Sequence, residues 1–163
     1  MTNGSKPVDG GNLSLSASET HSLIELSADA REFIRPYFGS YEFIKGKIRY
    51  CLWIGPDEKG RAETSPNIAA RLQNVTRMRE KSDKPLTRSG AKTPHLFQQV
   101  RQTGRERVII VPSVSSESRY YLPIGVLPPR SIISNLAYGF LGALSVWNGQ
   151  FPTPCKMASI RRV

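Results

Sequence analysis

Apolar residues in this chain occur in short runs, each soon ended by a proline or a glycine. The run from Val108 to Val111, for example, is followed directly by Pro112. Runs of this length suit short helices and strands, and none is long enough to cross a bilayer. Helix-like and hairpin-like segments come in blocks rather than in strict alternation. The sequence therefore predicts a single α+β domain, with a mixed or antiparallel sheet and hairpins packed with several helices.

Two short helices are predicted near the N-terminus. Ser16 and Glu19 have the spacing of a capping box, which marks the start of a helix. A second short helix from Ser27 must end before Pro36, because the residue preceding a proline is disfavoured in helical conformation. The following segment, residues 41–54, has two strand-like runs around a Lys-Gly turn and is predicted to form a β-hairpin.

A longer helix is predicted from Ser65-Pro66 to about Ser82, because serine is a good cap and proline suits the first helical turn. Its apolar stripe consists of Ile68, Leu72 and Val75. Arg77 and Lys81 fall on the opposite face, toward solvent. Cations outnumber acids over this segment, a pattern typical either of a solvated helix face or of one that follows a phosphate backbone.

The second half of the chain is predicted to contain several strands. Residues 108–111 have the pattern of a buried strand, and the polar loop Ser113–Ser118 leads into a second strand over about residues 119–126. Ile132-Ile133 begins another strand. The apolar segment Leu141–Trp147 is compatible with either a helix or a strand.

The charge balance points to a polyanionic partner. The chain has 23 Lys and Arg against 13 Asp and Glu, a formal net charge of +10 and a pI near 10. Such an excess causes self-repulsion, which a nucleic acid offsets; the alternative is a basic surface that is only solvated. The N-terminus has no apolar stretch of the signal-peptide kind, so we expect a cytoplasmic protein without a membrane partner.

Motifs for catalysis and for cofactors are missing from the sequence. There is neither a phosphate-binding loop nor a dinucleotide-binding glycine pattern. Leu127-Pro128-Pro129-Arg130 superficially resembles the amino-methyltransferase loop, but leucine cannot accept the hydrogen bond of the target amine and arginine replaces the stacking aromatic ring. His21, His95, Cys51 and Cys155 lack partners at the spacing that zinc binding or nucleophilic catalysis requires. We therefore predict no catalytic residue, metal site or cofactor site in this chain.

Two alternative functions stay open at this point. Asp57-Glu58-Lys59 fits half of a magnesium-nuclease motif, with Glu42 as a distant first acid, although Gly55-Pro56 and Gly60 also make it a typical exposed turn. The other alternative is a protein-interaction module that docks a partner through Trp53 and Trp147.

The loop between the two predicted strands of the second half combines hydroxyls, one acid and one arginine. These residues are Ser113, Val114, Ser115, Ser116, Glu117, Ser118 and Arg119. Arginine can donate two hydrogen bonds to guanine, glutamate can accept one from the cytosine amine, and serine can bond to either base. The segment therefore suits base recognition, although an ordinary polar hairpin loop has the same composition.

Several blocks of the chain carry a family resemblance. They are Asn3–Leu13, Ile34–Ile44, Arg49–Trp53, Thr93–Phe97 with Arg101-Gln102, and Val114–Gly125, and together they cover most of residues 3–126. In this order they resemble the target recognition domain of MmeI-like (type IIL) restriction-modification DNA methyltransferases. Asn3–Leu13 resembles the stretch that leaves the methyltransferase core in that family.

The resemblance implies that the parent enzyme methylates adenine in double-stranded DNA with S-adenosylmethionine, held in an upstream methyltransferase domain. Residues 1–15 would then be the connector from that domain and residues 16–163 the recognition domain. The base-contact role passes by this match to Ser115, Ser116, Glu117, Ser118 and Arg119. We look for contacts to the DNA backbone at Arg49, Arg77, Lys81 and Arg101.

The tail departs from the family pattern after about residue 141. Where the family continues into a helix, this chain has the run Gln150–Met157, whose two prolines oppose helix formation. This difference puts the packing of the C-terminal end, and with it the activity of the parent enzyme, in doubt.

Overall fold

The computed structural model describes residues 1–114 and 122–142. The chain divides into two compact units. We call Met1–Ser5, Tyr37–Ile48 and the chain from Arg101 onward the sheet unit. Lys6–Pro36 and Arg49–Val100 form the helical unit.

Eight strands and five α-helices are found among the described residues. The strands are β1 (Thr2–Asn3), β2 (Ser14–Leu15), β3 (Ile34–Phe38), β4 (Arg49–Leu52), β5 (Val108–Pro112), β6 (Gly125–Val126), β7 (Ile132–Ile133) and β8 (Ala137–Leu141). The α-helices are α1 (Ala17–Leu26), α2 (Ser40–Lys45), α3 (Lys59–Glu63), α4 (Pro66–Glu80) and α5 (Pro85–Ser89), and short 3-10 helices cover Ala28–Phe33, Pro56–Glu58 and Gly90–Lys92. Antiparallel pairs together with a parallel pair between β3 and β7 confirm the predicted α+β class.

The sheet unit is built on an antiparallel sheet with the strand order β1-β8-β5-β6. The last two residues of β3 pair in parallel with β7. The buried core cluster consists of Phe38, Phe43, Val108, Ile110, Leu127, Ile133 and Ala137, with Leu141 packed against it. Leu127, the first residue of the proline-rich motif, is thus a core residue of this unit.

The first residues of the chain are held tightly within the sheet unit. β1 pairs with β8, and the Ser5 amide donates to the Ile133 carbonyl at 2.8 Å. A Cβ atom at Gly4 would lie 2.3 Å from the Ser134 carbonyl oxygen, so only glycine permits this backbone approach.

The predicted hairpin over residues 41–54 is wrong. Its first run is the short helix α2, which ends at Gly46 with φ 64°, a left-handed C-cap that suits glycine. Glu42 starts the helix by accepting from the Gly39 amide at 2.9 Å. Its second run, β4, pairs with β2, where Ser14 lies opposite Cys51. A six-residue helix is too short to show the 3.6-residue period that separates it from a strand.

The helical unit follows the predictions more closely. The capping box of Ser16 and Glu19 starts α1, and the 3-10 helix Ala28–Phe33 ends before Pro36 as expected. α4 begins at Pro66, although Ser65 makes no side-chain cap, and its predicted apolar stripe is fully buried. No helix within the described ranges is long and apolar enough to cross a membrane.

The strands predicted in the second half of the chain are confirmed in part. β5 and β7 lie where they were predicted. The strand predicted over residues 119–126 is reduced, among its described residues, to the two-residue β6, and residues 119–121 lie outside the described part. Leu141 ends β8, and residues 143–147 also lie outside it.

Candidate functional site

The predicted base-contact residues Ser115, Ser116, Glu117, Ser118 and Arg119 lie outside the described residues. The flanking positions are described. β5 precedes the segment in the chain and β6 follows it, and these two strands pair antiparallel. The predicted residues therefore come, in chain order, between two strands that pair antiparallel in the sheet unit.

The entrance to this connection is fixed by hydroxyl hydrogen bonds. The Ser113 amide donates to Ser40 Oγ at 2.8 Å, and Ser113 Oγ donates to the Leu136 carbonyl at 2.8 Å. Ser40 Oγ donates to the same Leu136 carbonyl. Two serines and one carbonyl thus attach the end of β5 to the start of α2 and to the turn before β8.

The basic face predicted on α4 is present. Arg77 and Lys81 are both exposed and lie four residues apart, on the side opposite the buried stripe of the helix. Three more exposed cations follow within the next eleven residues: Lys84, Arg88 and Lys92. This surface of the helical unit presents positive charge to solvent.

Arg79, by contrast, is a buried structural residue that sequence reasoning did not single out. Only 1% of it is exposed, and its five N–H groups donate to five backbone carbonyls, those of Pro7, Val8, Gly90, Thr93 and Leu96, at 2.8–3.0 Å. Burial lowers the pKa of its guanidinium, while the charge of Asp9 raises it. Arginine nevertheless stays protonated in proteins, so a buried cation holds these segments together.

Arg71 is also part of the structure of the helical unit. Its guanidinium donates to the Asn12 carbonyl at 3.1 Å and to Glu19 Oε1 at 2.9 Å. Glu19 in turn accepts from the Ser16 amide, and these contacts, the Ser16 amide foremost, lower the pKa of Glu19 to about 2. The cation-rich segment therefore contains both structural arginines and exposed ones.

The two other predicted backbone-contact residues lie in different units. Arg49 is half-buried at the start of β4 in the helical unit. Arg101 is exposed in the sheet unit, where its amide donates to Ser5 Oγ at 3.0 Å. The roles of Arg49, Arg77, Lys81 and Arg101 toward DNA stay predictions.

Three of the four residues of the nuclease hypothesis make local structural contacts. Glu58 Oε2 accepts from the Gly55 amide at 2.8 Å and so caps the 3-10 helix Pro56–Glu58. Lys59 pairs with Glu63 at 3.7 Å. Glu42, the distant acid, caps α2 in the sheet unit. Within the described ranges no group of three His, Cys, Asp or Glu residues could hold a metal ion.

The remaining candidate side chains that the structure describes belong to the packing of the helical unit or to its surface. Cys51 is fully buried, and burial raises the pKa of its thiol. His21 is exposed and lies 3.2 Å from Glu25 on α1. Trp53 packs edge-to-face on Phe97, with 5.0 Å between the ring centroids. Cys155 and Trp147 lie outside the described residues.

His95 is a buried titratable group, only 5% exposed. Burial lowers the pKa of its imidazole, and the charges of Lys59 and Arg79 lower it further. The Pro56 carbonyl and Glu63 act in the opposite direction without reversing the shift. The folded helical unit therefore favours neutral His95.

We expect stability to fall as the pH drops from 7 to 5. The unfolded chain binds the His95 proton below about pH 6.5, its ordinary pKa, whereas the folded chain does not until a lower pH. One proton changes the free energy of unfolding by at most about 1.4 kcal/mol per pH unit. Urea unfolding at several pH values measures this dependence. The free energy of unfolding of His95→Gln should change less with pH than that of the unmutated chain, whereas His21→Gln, which alters an exposed residue, should keep the full dependence. Equal slopes in all three proteins would contradict this prediction.

Comparisons with known proteins agree with one another. The family model described as "MmeI, target recognition domain" matches residues 1–148. DNA methyltransferase A of Bacillus subtilis (strain 168) is 36% identical over 135 residues, which are 83% of this chain and 15% of that protein. A solved structure of the type IIL restriction-modification enzyme MmeI in complex with DNA matches with a TM-score of 0.80 and 31% identity, over 86% of this chain and 19% of that one. The chain thus spans less than a fifth of the length of either relative.

Proposed function

The chain belongs to the family of MmeI target recognition domains, and we propose that it recognises a specific sequence in double-stranded DNA for an adenine-specific methyltransferase. The observation that carries this proposal is the family match over residues 1–148, together with the likeness to an enzyme whose structure was solved in complex with DNA. The net charge of +10 attracts the chain to the negatively charged phosphates of DNA.

In this proposal the catalytic chemistry belongs to an upstream methyltransferase domain, which binds S-adenosylmethionine and takes the flipped target adenine into its pocket. Residues 1–15 connect that domain to this one. The pairing of β1 with β8 supports a connector that is tied into the sheet unit. The cytoplasm, where genomic DNA is accessible, is the proposed location.

Sequence is recognised, in this proposal, by Ser115, Ser116, Glu117, Ser118 and Arg119. Their donors and acceptors match the edges that base pairs present in the major groove. The described entrance to the segment supports this role, because Ser113 is fixed at two points, to Ser40 and to Leu136. A fixed entrance reduces the conformational entropy that binding would otherwise cost.

In this proposal four cations hold the DNA backbone, and the structure supports them to different degrees. Arg77 and Lys81 are the best supported, because they are exposed on one face of α4 while the buried stripe holds the helix in place. Arg101 is exposed as well, and Arg49 is half-buried on β4. Contacts to phosphates position the protein and are independent of sequence.

Arg77→Ala tests the backbone role. We expect it to weaken binding by the same factor to two duplexes: a cognate duplex, whose sequence is obtained by selection from random DNA, and a scrambled duplex. It should also reduce the slope of log K against log salt by about 0.9, the value for one phosphate contact. Fluorescence titrations between 50 and 200 mM salt measure both quantities. Gln73→Ala, an exposed change four residues earlier on α4 that leaves the net charge unchanged, serves as the control. A loss confined to the cognate duplex would contradict the assignment.

A further inference from the structure

The sheet unit carries a group of exposed arginines of which only one was singled out for DNA contact. We call Arg101, Arg105, Arg107 and Arg130 the arginine group. All four are exposed, and no ion pair joins any of them to another described residue. In the helical unit, by contrast, Arg61 pairs with Glu32 and Arg71 with Glu19.

Buried Gln102 brings the two segments of the arginine group together. Its side chain donates to the Ser131 carbonyl at 2.9 Å and accepts from the Ile133 amide at 2.8 Å. Arg101 precedes Gln102 and Arg130 precedes Ser131, so the two arginines flank one hydrogen-bonded junction. The Leu127 amide also donates to the Val108 carbonyl at 2.9 Å, which joins the same two segments a second time, next to Arg107.

The acid within this group is already engaged by the backbone. The carboxylate of Glu106 accepts from the amides of Thr103, Gly104 and Arg105 at 2.7–3.2 Å. Although burial raises the pKa of Glu106, these amides lower it by more, so the carboxylate is held in its charged form. The loop closes around its own acid and leaves the guanidinium groups of Arg105 and Arg107 without a carboxylate partner among the described residues.

Arg130 has a backbone conformation that glycine would adopt at lower cost. Its φ is +65°, and it occupies the third position of the turn Pro128–Ser131, in which the Ser131 amide donates to the Pro128 carbonyl at 3.3 Å. Such a position in a tight turn favours glycine or asparagine. Non-glycine residues in such a conformation cost free energy and are concentrated at functional sites, including sites that hold ligands.

We propose that the arginine group is a phosphate clamp, in which Arg105, Arg107 and Arg130 join Arg101 in holding the DNA backbone; this proposal rests on the proposed function. Arg101 and Arg130 flank the Gln102 junction, and Arg107 lies beside the second contact between the same two segments. Four guanidinium groups without a carboxylate partner among the described residues suit the phosphates of a DNA backbone.

The arginine group and Ser113 lie at opposite ends of β5. Arg107 directly precedes this strand, whereas Ser113 directly follows it, and a five-residue strand is about 17 Å long. Phosphate contacts are independent of sequence, so removal of the clamp should affect all duplexes alike.

Arg130→Gly separates the functional role from a structural one. Because glycine relieves the strained φ, we expect the Tm to rise by about 2 °C. The same change should weaken binding to cognate and scrambled duplexes about three- to tenfold and reduce the salt slope by about 0.9. Lys45→Ala, which removes an exposed cation from the same unit at the end of α2, is the matched control and should leave the slope nearly unchanged.

Thermal unfolding and fluorescence titration of the full 163-residue chain measure these effects. A more stable Arg130→Gly variant with unchanged affinity would overturn the clamp and leave the proposed function standing. A variant that loses both stability and affinity would show a structural role and overturn it too. If the unmutated chain binds neither duplex, the proposed function itself fails and the clamp fails with it.

Discussion

Replacing Arg79 by methionine is expected to lower the free energy of unfolding by about 3–5 kcal/mol. Each hydrogen bond from a charged donor stabilises the fold by about 1.5–3 kcal/mol, and Arg79 makes five. Desolvation of the buried cation offsets several kcal/mol of that gain. What remains is still a large share of the roughly 5–15 kcal/mol that stabilises an ordinary domain.

Urea unfolding followed by circular dichroism measures this loss, and the chain offers a matched control. Arg77→Met makes the same chemical change two residues earlier on α4, at an exposed position, and should change stability by no more than about 0.5 kcal/mol. Arg79→Lys keeps the charge but has only three N–H donors, so we expect an intermediate loss. If Arg79→Met and Arg77→Met unfold at the same urea concentration, the structural role of Arg79 is wrong.

Local sequence patterns are sufficient to predict a helix or strand when that element is determined by its own residues. The capping box of Ser16 and Glu19, and the apolar stripe of α4, predicted helices that the structure contains. The four-residue apolar run at 108–111 was long enough to indicate β5. In each of these cases the residues that indicate the element lie within the element itself or directly beside it.

Predictions failed where the outcome depends on partners distant in sequence. The segment of α2 is predicted as a strand because Tyr41 and Phe43 would share one face of a strand, and six residues are too few to exclude a helix. In the helix that forms, Tyr41 is exposed and Phe43 is buried. β4 pairs with β2 through residues that are 35 and 37 positions apart in the chain, so no turn sequence between the two strands indicates the pairing. Sequence patterns record which residues are apolar but not which segments meet.

The candidate site shows the same limit for charged residues. Arg77 and Arg79 look alike in sequence, yet one is exposed and the other is buried among five carbonyls. The spacing did hold a signal: Ile68, Leu72, Val75 and Arg79 are separated by four, three and four residues, so Arg79 continues the buried stripe. A cation on the apolar stripe of a helix is a candidate for a structural hydrogen-bond donor.

Arg119→Ala is expected to remove discrimination between DNA sequences more than it removes binding. If Arg119 donates two hydrogen bonds to a guanine, its loss costs about 1–3 kcal/mol on the cognate duplex. This cost corresponds to about a five- to 150-fold weaker Kd. On a scrambled duplex the variant loses only the attraction of one charge, so the ratio of the two affinities falls.

Arg119→Lys distinguishes a base contact from a charge effect. Lysine keeps the positive charge but not the planar fork, so its salt slope should match that of the unmutated chain while its cognate affinity stays low. Competition titrations with cognate and scrambled duplexes at one salt concentration give the ratio directly, and Arg77→Ala, which is expected to leave that ratio unchanged, is the reference. Because a phosphate contact cannot distinguish one sequence from another, equal losses on both duplexes would assign Arg119 to the backbone and leave base recognition to Glu117 and the serines.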